Sequence, residues 1–146
     1  MKADPIKASP QIFEIEKRVF NRDFDDCPSQ VEEVVEFIKD TDVYLLFEES
    51  NPIGYFALKP LSDNTCELKS IAVDAPYQGQ GVGSYLMQRV LEVANDKTIQ
   101  LVTHPKNVSG LFLYLKNGFE IVGWVDDYLG DGQPRLKLKR TVTETV

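Results

Sequence analysis

The chain has 146 residues, 42% of them hydrophobic and 27% charged, the size and balance of one soluble globular domain spanning residues 1–146. Sixteen Lys and Arg stand against 23 Asp and Glu, and the formal net charge of −7 argues against nucleic-acid backbones and anionic membranes as partners. His104 is the only histidine, so a multi-histidine metal site is excluded; Cys27 and Cys66 make no CxxC pair, and no apolar run approaches membrane-spanning length. These features lead to the expectation of a cytoplasmic protein without a metal.

In chain order, SPQIFEIEKRVFN predicts a first helix, with Ile12, Ile15, Val19 and Phe20 at helical spacing, Ser9 as its cap and Pro10 in its first turn. NRDFDDCP is an acidic break. SQVEEVVEFIKD predicts a second helix, opened by the capping box Ser29-x-x-Glu32 and carrying Val31, Val34, Val35 and Ile38 on one face. DVYLLFEE and IGYFALKP read as a hairpin joined across Ser50-Asn51-Pro52, and TCELKSIAVD as a third strand. On that strand, period two places Glu67, Lys69, Ile71 and Val73 on one face. A helix follows from Gly83 to Asn95, then the strand TIQLVTHP, then a short helix in NVSGLFLYLKNG with Asn107 as cap and Gly118 as stop. FEIVGWVDD and PRLKLKRTV are the last two strands. The order implies an α/β layer domain with a mixed sheet.

Between the third strand and its helix lies DAPYQGQGVGSYLM, with Gly79, Gly81 and Gly83 inside five positions. A glycine-rich approach to a helix start leaves backbone N–H groups open to a phosphate, where the helix dipole also favours negative charge. The dinucleotide fingerprint GxGxxG is not met, because Ser84 stands where its last glycine belongs, and no Gly-Lys pair exists for the GxxxxGK[ST] loop.

The block Gln78-x-x-Gly81-x-Gly83 instead resembles the [QR]xxGxG signature of the Gcn5-related N-acetyltransferase (GNAT) family. A second block, Asn107-x-x-Gly110-x-x-x-Tyr114-x-x-x-Gly118-Phe119, resembles the family's N-x-x-A-x-x-x-Y-x-x-x-GF, one strand further on. The resemblance is strong over residues 64–123 and general over 11–60. It implies the GNAT fold: a mixed, mostly antiparallel sheet of six to seven strands whose central parallel pair splays apart, flanked by about four helices. Family members start with a full strand; here DPIKAS is short and broken by Pro5, so the first strand is expected to be stunted or missing.

The resemblance also implies acetyl transfer from acetyl-CoA to a primary amine. On the family's pattern, backbone groups of Ile71, Ala72 and Val73 meet the pantetheine arm. Gln78, Gly79, Gln80, Gly81, Val82, Gly83 and Ser84 take the pyrophosphate, and Asn107 bonds the pantetheine end. Tyr114 occupies the position of the general acid, and Glu67 the position of the base in histone-type members, with His104 in reserve. The carboxylate that other members carry just upstream of the Asn is Val102 here, which counts against the ribosomal-protein N-terminal class. Acceptor-site candidates are Asp26, Asp126 and Asp127, whose carboxylates, with those of Asp23, Asp25 and Asp131, would draw in a cation, and Tyr128, which would line the same cleft. The acceptor is expected to be a small-molecule or protein amine, and the last two strands leave room for pairing in a homodimer. The alternative is a non-catalytic acyl-CoA-binding sensor or assembly subunit, which needs the glycines and Asn107 but not Tyr114 or a base.

Overall fold

A computed structural model of the chain describes residues 2–23, 31–130 and 132–142. Seven strands form one sheet in the order β1-β2-β3-β4-β5-β7-β6. They are β1 (Lys2–Ala3), β2 (Asp42–Glu48), β3 (Asn51–Ser62), β4 (Thr65–Val73), β5 (Thr98–Thr103), β6 (Glu120–Val125) and β7 (Arg135–Arg140). The helices are α1 (Pro5–Asp23), α2 (Val31–Ile38), α3 (Val82–Ala94) and α4 (Val108–Lys116). The mixed, mostly antiparallel sheet and its four helices match the fold expected from the sequence. Among the described residues the first strand is short: Lys2 and Ala3 pair with Tyr44 and Val43 at the edge of the sheet, upstream of DPIKAS, which opens α1 from Pro5.

Helix α1 begins earlier than its sequence pattern suggests. Asp4, not Ser9, is the cap: its Oδ1 accepts the Lys7 N–H at 3.2 Å and its backbone oxygen accepts from Ala8. Pro10 therefore lies inside the helix, and Ser9 is buried rather than terminal. The Ser29 cap lies outside the described residues, as do Asp25, Asp26, Cys27 and Asp131.

Strand β3 is buried from Ile53 to Leu58, because it is central in the sheet and covered on both faces. One apolar layer joins Phe56, Leu68, Leu86, Met87, Val90, Ile99, Leu101 and Leu138 under α3 and α4. The other joins Ile12, Ile15, Val34, Ile38, Val43, Leu45, Tyr55, Ala57 and Ala72 under α1 and α2. Among the described residues, no helix is long and apolar enough to cross a membrane.

The path of β4 sets up the site. β4 reaches β5 through α3, a strand–helix–strand crossover that makes the two parallel. They pair only at Thr65–Thr98, Cys66–Ile99 and Glu67–Gln100. Beyond Glu67 the two strands part, and each stays paired on its outer side, β4 with β3 and β5 with β7.

A register shift between Ala57 and Leu58 skips Lys69, since Ala57 faces Ser70 and Leu58 faces Leu68. This bulge overturns the single face expected for Glu67, Lys69, Ile71 and Val73. Ile71 pairs with Phe56 and lies on the α3 side, whereas Glu67 pairs with Lys59, in phase with Tyr55 and Ala57 on the α1 side.

Candidate active site

The glycine-rich loop leaves β4 through a short 3-10 turn, Ala75–Tyr77, capped by Asp74. Gly79 and Gly81 have φ of 76° and 85°, which L side chains rarely adopt, and Gly81 is the N-cap of α3. The first bond of the helix runs from Tyr85 N–H to Gly81 O. Among the described residues, the N–H groups of Gly79, Gln80, Gly81, Val82, Gly83 and Ser84 donate to no protein acceptor. A row of open amides at a positive helix end can hydrogen-bond an anion.

The side chains of Gln78 and Gln80 brace the loop. Gln78 Nε2 donates to Val73 O at 3.1 Å, and Gln80 Nε2 to Pro76 O at 3.2 Å. Gly83 is not required by crowding, because a Cβ there would stand 3.8 Å from both Leu113 and Val73.

Asp74 N–H donates to Ile53 O, so β4 turns every second residue toward β3 from there back. By alternation, the N–H and C=O of Ile71 and Val73 face the gap, and those of Ala72 face Tyr55. Ala72 points its buried side chain into the α1 layer.

On the other wall of the gap, Asn107 caps α4. Its Oδ1 accepts the Gly110 N–H at 3.2 Å and its Nδ2 donates to Thr103 Oγ1 at 3.0 Å. Tyr114 is buried against Phe119, with ring centroids 5.8 Å apart. Among the described residues its hydroxyl has no hydrogen-bond partner. Burial pushes its phenol well above the usual tyrosine value.

Glu67 sits at the last β4–β5 pair, the vertex of the gap. Its carboxylate lies 3.9 Å from Lys69 Nζ, which also stacks 4.4 Å over the Phe37 ring of α2. His104 is buried at the end of β5 and is engaged at both nitrogens. Nδ1 accepts from Lys106 N–H at 3.0 Å, and Nε2 faces Gln133 Oε1 at 3.1 Å. The loop between β6 and β7 therefore borders the mouth of the gap.

In that loop Asp126 accepts from Trp124 Nε1 at 2.8 Å, and Asp127 accepts the Gly132 N–H at 2.5 Å while holding a positive φ. The Asp127 carboxylate thus helps shape the turn, and that of Asp126 is held by the indole. Tyr128 is 42% exposed, with Lys137 Nζ 5.8 Å from its ring centre. Asp26 lies outside the described residues. Among the described residues no group of three or more His, Cys, Asp or Glu is placed to hold a metal ion.

Three further residues meet on the α1 side of the splayed half of β4. Tyr55 donates its hydroxyl to Glu16 Oε1, and Ser70 Oγ lies 2.6 Å from the Tyr55 oxygen and 3.5 Å from Glu16 Oε1. Burial, then the Glu16 charge and hydrogen bond, and in smaller measure Tyr114, hold the Tyr55 phenol well above its usual value. Sequence reasoning missed this group. The available signal was a glutamate four residues after Ile12, on the face of α1 that should be apolar.

Comparison with known proteins agrees with this arrangement. A family model described as Acetyltransferase (GNAT) family matches residues 9–119. N-acetylaspartate synthetase of Danio rerio is 36% identical over 81 residues, 53% of this chain and 29% of that protein. The chain thus spans less than a third of the length of that relative. Among solved structures, an IAA acetyltransferase from Bacillus cereus superposes with a TM-score of 0.79 at 20% identity, covering 97% of both chains. A GNAT acetyltransferase from Elizabethkingia anophelis with acetyl-CoA bound gives 0.68 at 24% identity, over 76% of this chain and 82% of that one. At these identities the structural likeness establishes the fold.

Proposed function

Because the chain belongs to the GNAT acetyltransferase family, we propose that it transfers an acetyl group from acetyl-CoA, the family's co-substrate, to a cationic primary amine. The observation that carries the reading is the run of unpartnered amides from Gly79 to Ser84, next to the gap that opens between β4 and β5 beyond Glu67.

The residues present suit the cofactor. The pyrophosphate is received by the amides of Gly79 through Ser84, with Gln78 and Gln80 holding the loop in shape. The pantetheine arm runs along the open edge of β4, where Ile71 and Val73 turn their backbone groups outward, while Ala72 turns its own toward Tyr55 and offers the arm no hydrogen bond. Asn107 keeps the α4 wall in place through its cap.

With the cofactor entering from the α3 side, the acceptor approaches from the α1 side. There Glu67 serves as the base, directly or through a water, for the proton on the attacking nitrogen. Tyr114 is the donor to sulfur. Its raised pKa keeps the phenol protonated, so it stabilises the developing thiolate through a hydrogen bond, with full proton transfer to a thiolate of lower pKa uphill. Asp126 and Tyr128 line the acceptor mouth in this reading, with Asp127 adding negative potential.

The first experiment is thiol release from acetyl-CoA against a panel of polyamines, aminoglycosides, amino acids, amino sugars and lysine peptides. Saturable turnover with one class establishes the transferase and identifies its acceptor. Silence across the panel, with acetyl-CoA binding shown by calorimetry, moves the reading to an acyl-CoA-binding module.

A further inference from the structure

Glu16 is a carboxylate inside an apolar layer. It reaches from α1 to a point beside Ser70 and Tyr55, with only 9% of its surface exposed, and Tyr55 itself belongs to the apolar layer of Ile12, Ile15, Ala57 and Ala72. A charge so placed is costly to bury unless hydrogen-bonded. The hydrogen bonds it makes have a direction. Tyr55 has one proton and gives it to Glu16. With the Tyr55 proton on Glu16, Ser70 gives its single proton to the Tyr55 oxygen at 2.6 Å in preference to its longer 3.5 Å contact with Glu16 Oε1, and the lone pairs of Ser70 are left to accept.

Ser70 is half-buried and lies three residues beyond the last β4–β5 pair, in the splayed part of β4. The chain of hydroxyls thus starts at the gap and ends on a carboxylate at the α1 side. Tyr114, on the other face of the sheet, is close enough to influence the Tyr55 phenol.

An alkylammonium acceptor must lose two protons from nitrogen. The first frees the lone pair, and at neutral pH only about one such amine in 2,500 is already free. The second leaves once the C–N bond has formed. The departing thiolate takes up one proton, so one is released to solvent. Under the acetyltransferase reading, on which this inference rests, Glu67 handles the second.

We propose that Glu16 takes the first, through Ser70 and Tyr55. The ammonium N–H donates to Ser70 Oγ, Ser70 passes its own proton to the Tyr55 oxygen, and Tyr55 passes its proton to Glu16 Oε1. One N–H bond breaks and one O–H bond forms on Glu16. Ser70 and Tyr55 each give one proton and regain one, and no other reactant is needed. The transfers are concerted, so neither alkoxide nor tyrosinate is formed. Glu16 then releases the proton to water at its exposed edge. Of the charged groups on the same face of β4, Glu67 and Lys69 are paired with each other.

The test uses two acceptors of one carbon framework: an alkylamine of pKa about 10 and a fluorinated analogue whose pKa lies below about 7. The second arrives neutral and has no first proton to lose. Glu16→Gln keeps the oxygen that accepts from Tyr55. It is expected to lower kcat/KM about 100-fold for the alkylamine at neutral pH, and to leave the fluorinated amine within about twofold. The affinity for acetyl-CoA stays the same. Tyr55→Phe and Ser70→Ala show the same selectivity, and they carry the test if Glu16→Gln does not fold. Glu67→Gln lowers both amines alike. Equal losses for the two amines in the Glu16, Tyr55 and Ser70 variants, or no loss, overturn the proposal while wild-type turnover leaves the transferase reading standing. The pair is built on the acceptor class that the amine panel identifies; if wild type binds acetyl-CoA and acetylates neither the pair nor any amine of the panel, both fall.

Discussion

Asn107 and Gly110 fit each other. The Asn107 side chain folds back onto the first turn of α4, and a Cβ on Gly110 would stand 2.8 Å from Oδ1 and 2.7 Å from Cγ. The family motif that this block resembles carries alanine at that position, and Gly110 gives the room the capping amide uses here. Gly110→Ala sets two terms against each other. Alanine gains about 1 kcal/mol in helix propensity, while displacing the cap costs about 1 kcal/mol and also strands the Thr103 hydrogen bond. Thermal unfolding is expected to show no stabilisation. A rise in Tm worth the full propensity gain would mean that Asn107 moves aside freely.

Gly79 and Gly81 differ from Gly110 in having open space where a Cβ would go. Their constraint is backbone alone, φ of 76° and 85°. Gly79→Ala and Gly81→Ala should each cost about 1–2 kcal/mol if the loop keeps its shape, and less if the loop relaxes by turning its amides away. The two responses separate by measurement. Calorimetry is expected to show acetyl-CoA affinity falling at least several-fold while Tm changes little. Unaltered affinity in both variants would remove these amides from the pyrophosphate site.

How much of this was legible in the sequence follows from where local rules hold. The glycine loop and the Asn107 cap are properties of short segments, and the letters carry them; the parallel pair around α3 came with the family resemblance. The face of Glu67 was not legible, because Lys69 is skipped by the bulge and an unbroken period of two runs straight through it. The start of α1 was missed because Pro10 reads as a first-turn residue when Asp4 is the true cap. Glu16, Tyr55 and Ser70 come from three elements and meet only in the folded chain. The partners of Asp126 and Asp127, the Trp124 indole and the Gly132 N–H, were likewise not legible, because charge alone does not say what a carboxylate accepts from.

Glu67 carries a stability expectation as well as a catalytic one. Its partner Lys69 lies at 3.9 Å, and both side chains are 23% exposed. Such a pair contributes at most about 1 kcal/mol. Glu67→Gln should therefore leave urea unfolding nearly unchanged while kcat falls for acceptors of high and low pKa alike, because the proton it takes leaves after the C–N bond has formed. An unchanged kcat would place the base elsewhere.

Tyr114 is expected to act as a hydrogen-bond donor across the whole working range. Burial raises its pKa, so the phenol stays protonated well past the usual tyrosine value. The rate should show no fall near pH 10 from this group. Tyr114→Phe should lower kcat more than tenfold, on the order of a positioned donor's contribution, with acetyl-CoA affinity retained. A variant with wild-type turnover would remove Tyr114 from the chemistry.

Tyr55 and Tyr114 also predict how the fold responds to alkali. In the unfolded chain both phenols ionise near pH 10. In the folded chain both are held neutral to higher pH, Tyr55 by burial and then Glu16, Tyr114 by burial. Below about pH 10 neither state has lost a phenol proton, and the full stability is present. Above it the unfolded chain binds fewer protons than the folded one, so stability falls by about 1.4 kcal/mol per pH unit for each phenol. The Cys66 thiol, raised by burial, bends the curve in the same sense from a lower pH. Urea unfolding between pH 8 and about 11.5 is the measurement. Tyr114→Phe should make the decline above pH 10 shallower by the share of one group. An unchanged slope in that variant would mean that Tyr114 ionises in the folded protein as readily as in the unfolded one, and that its phenol is open to water rather than closed over the cleft.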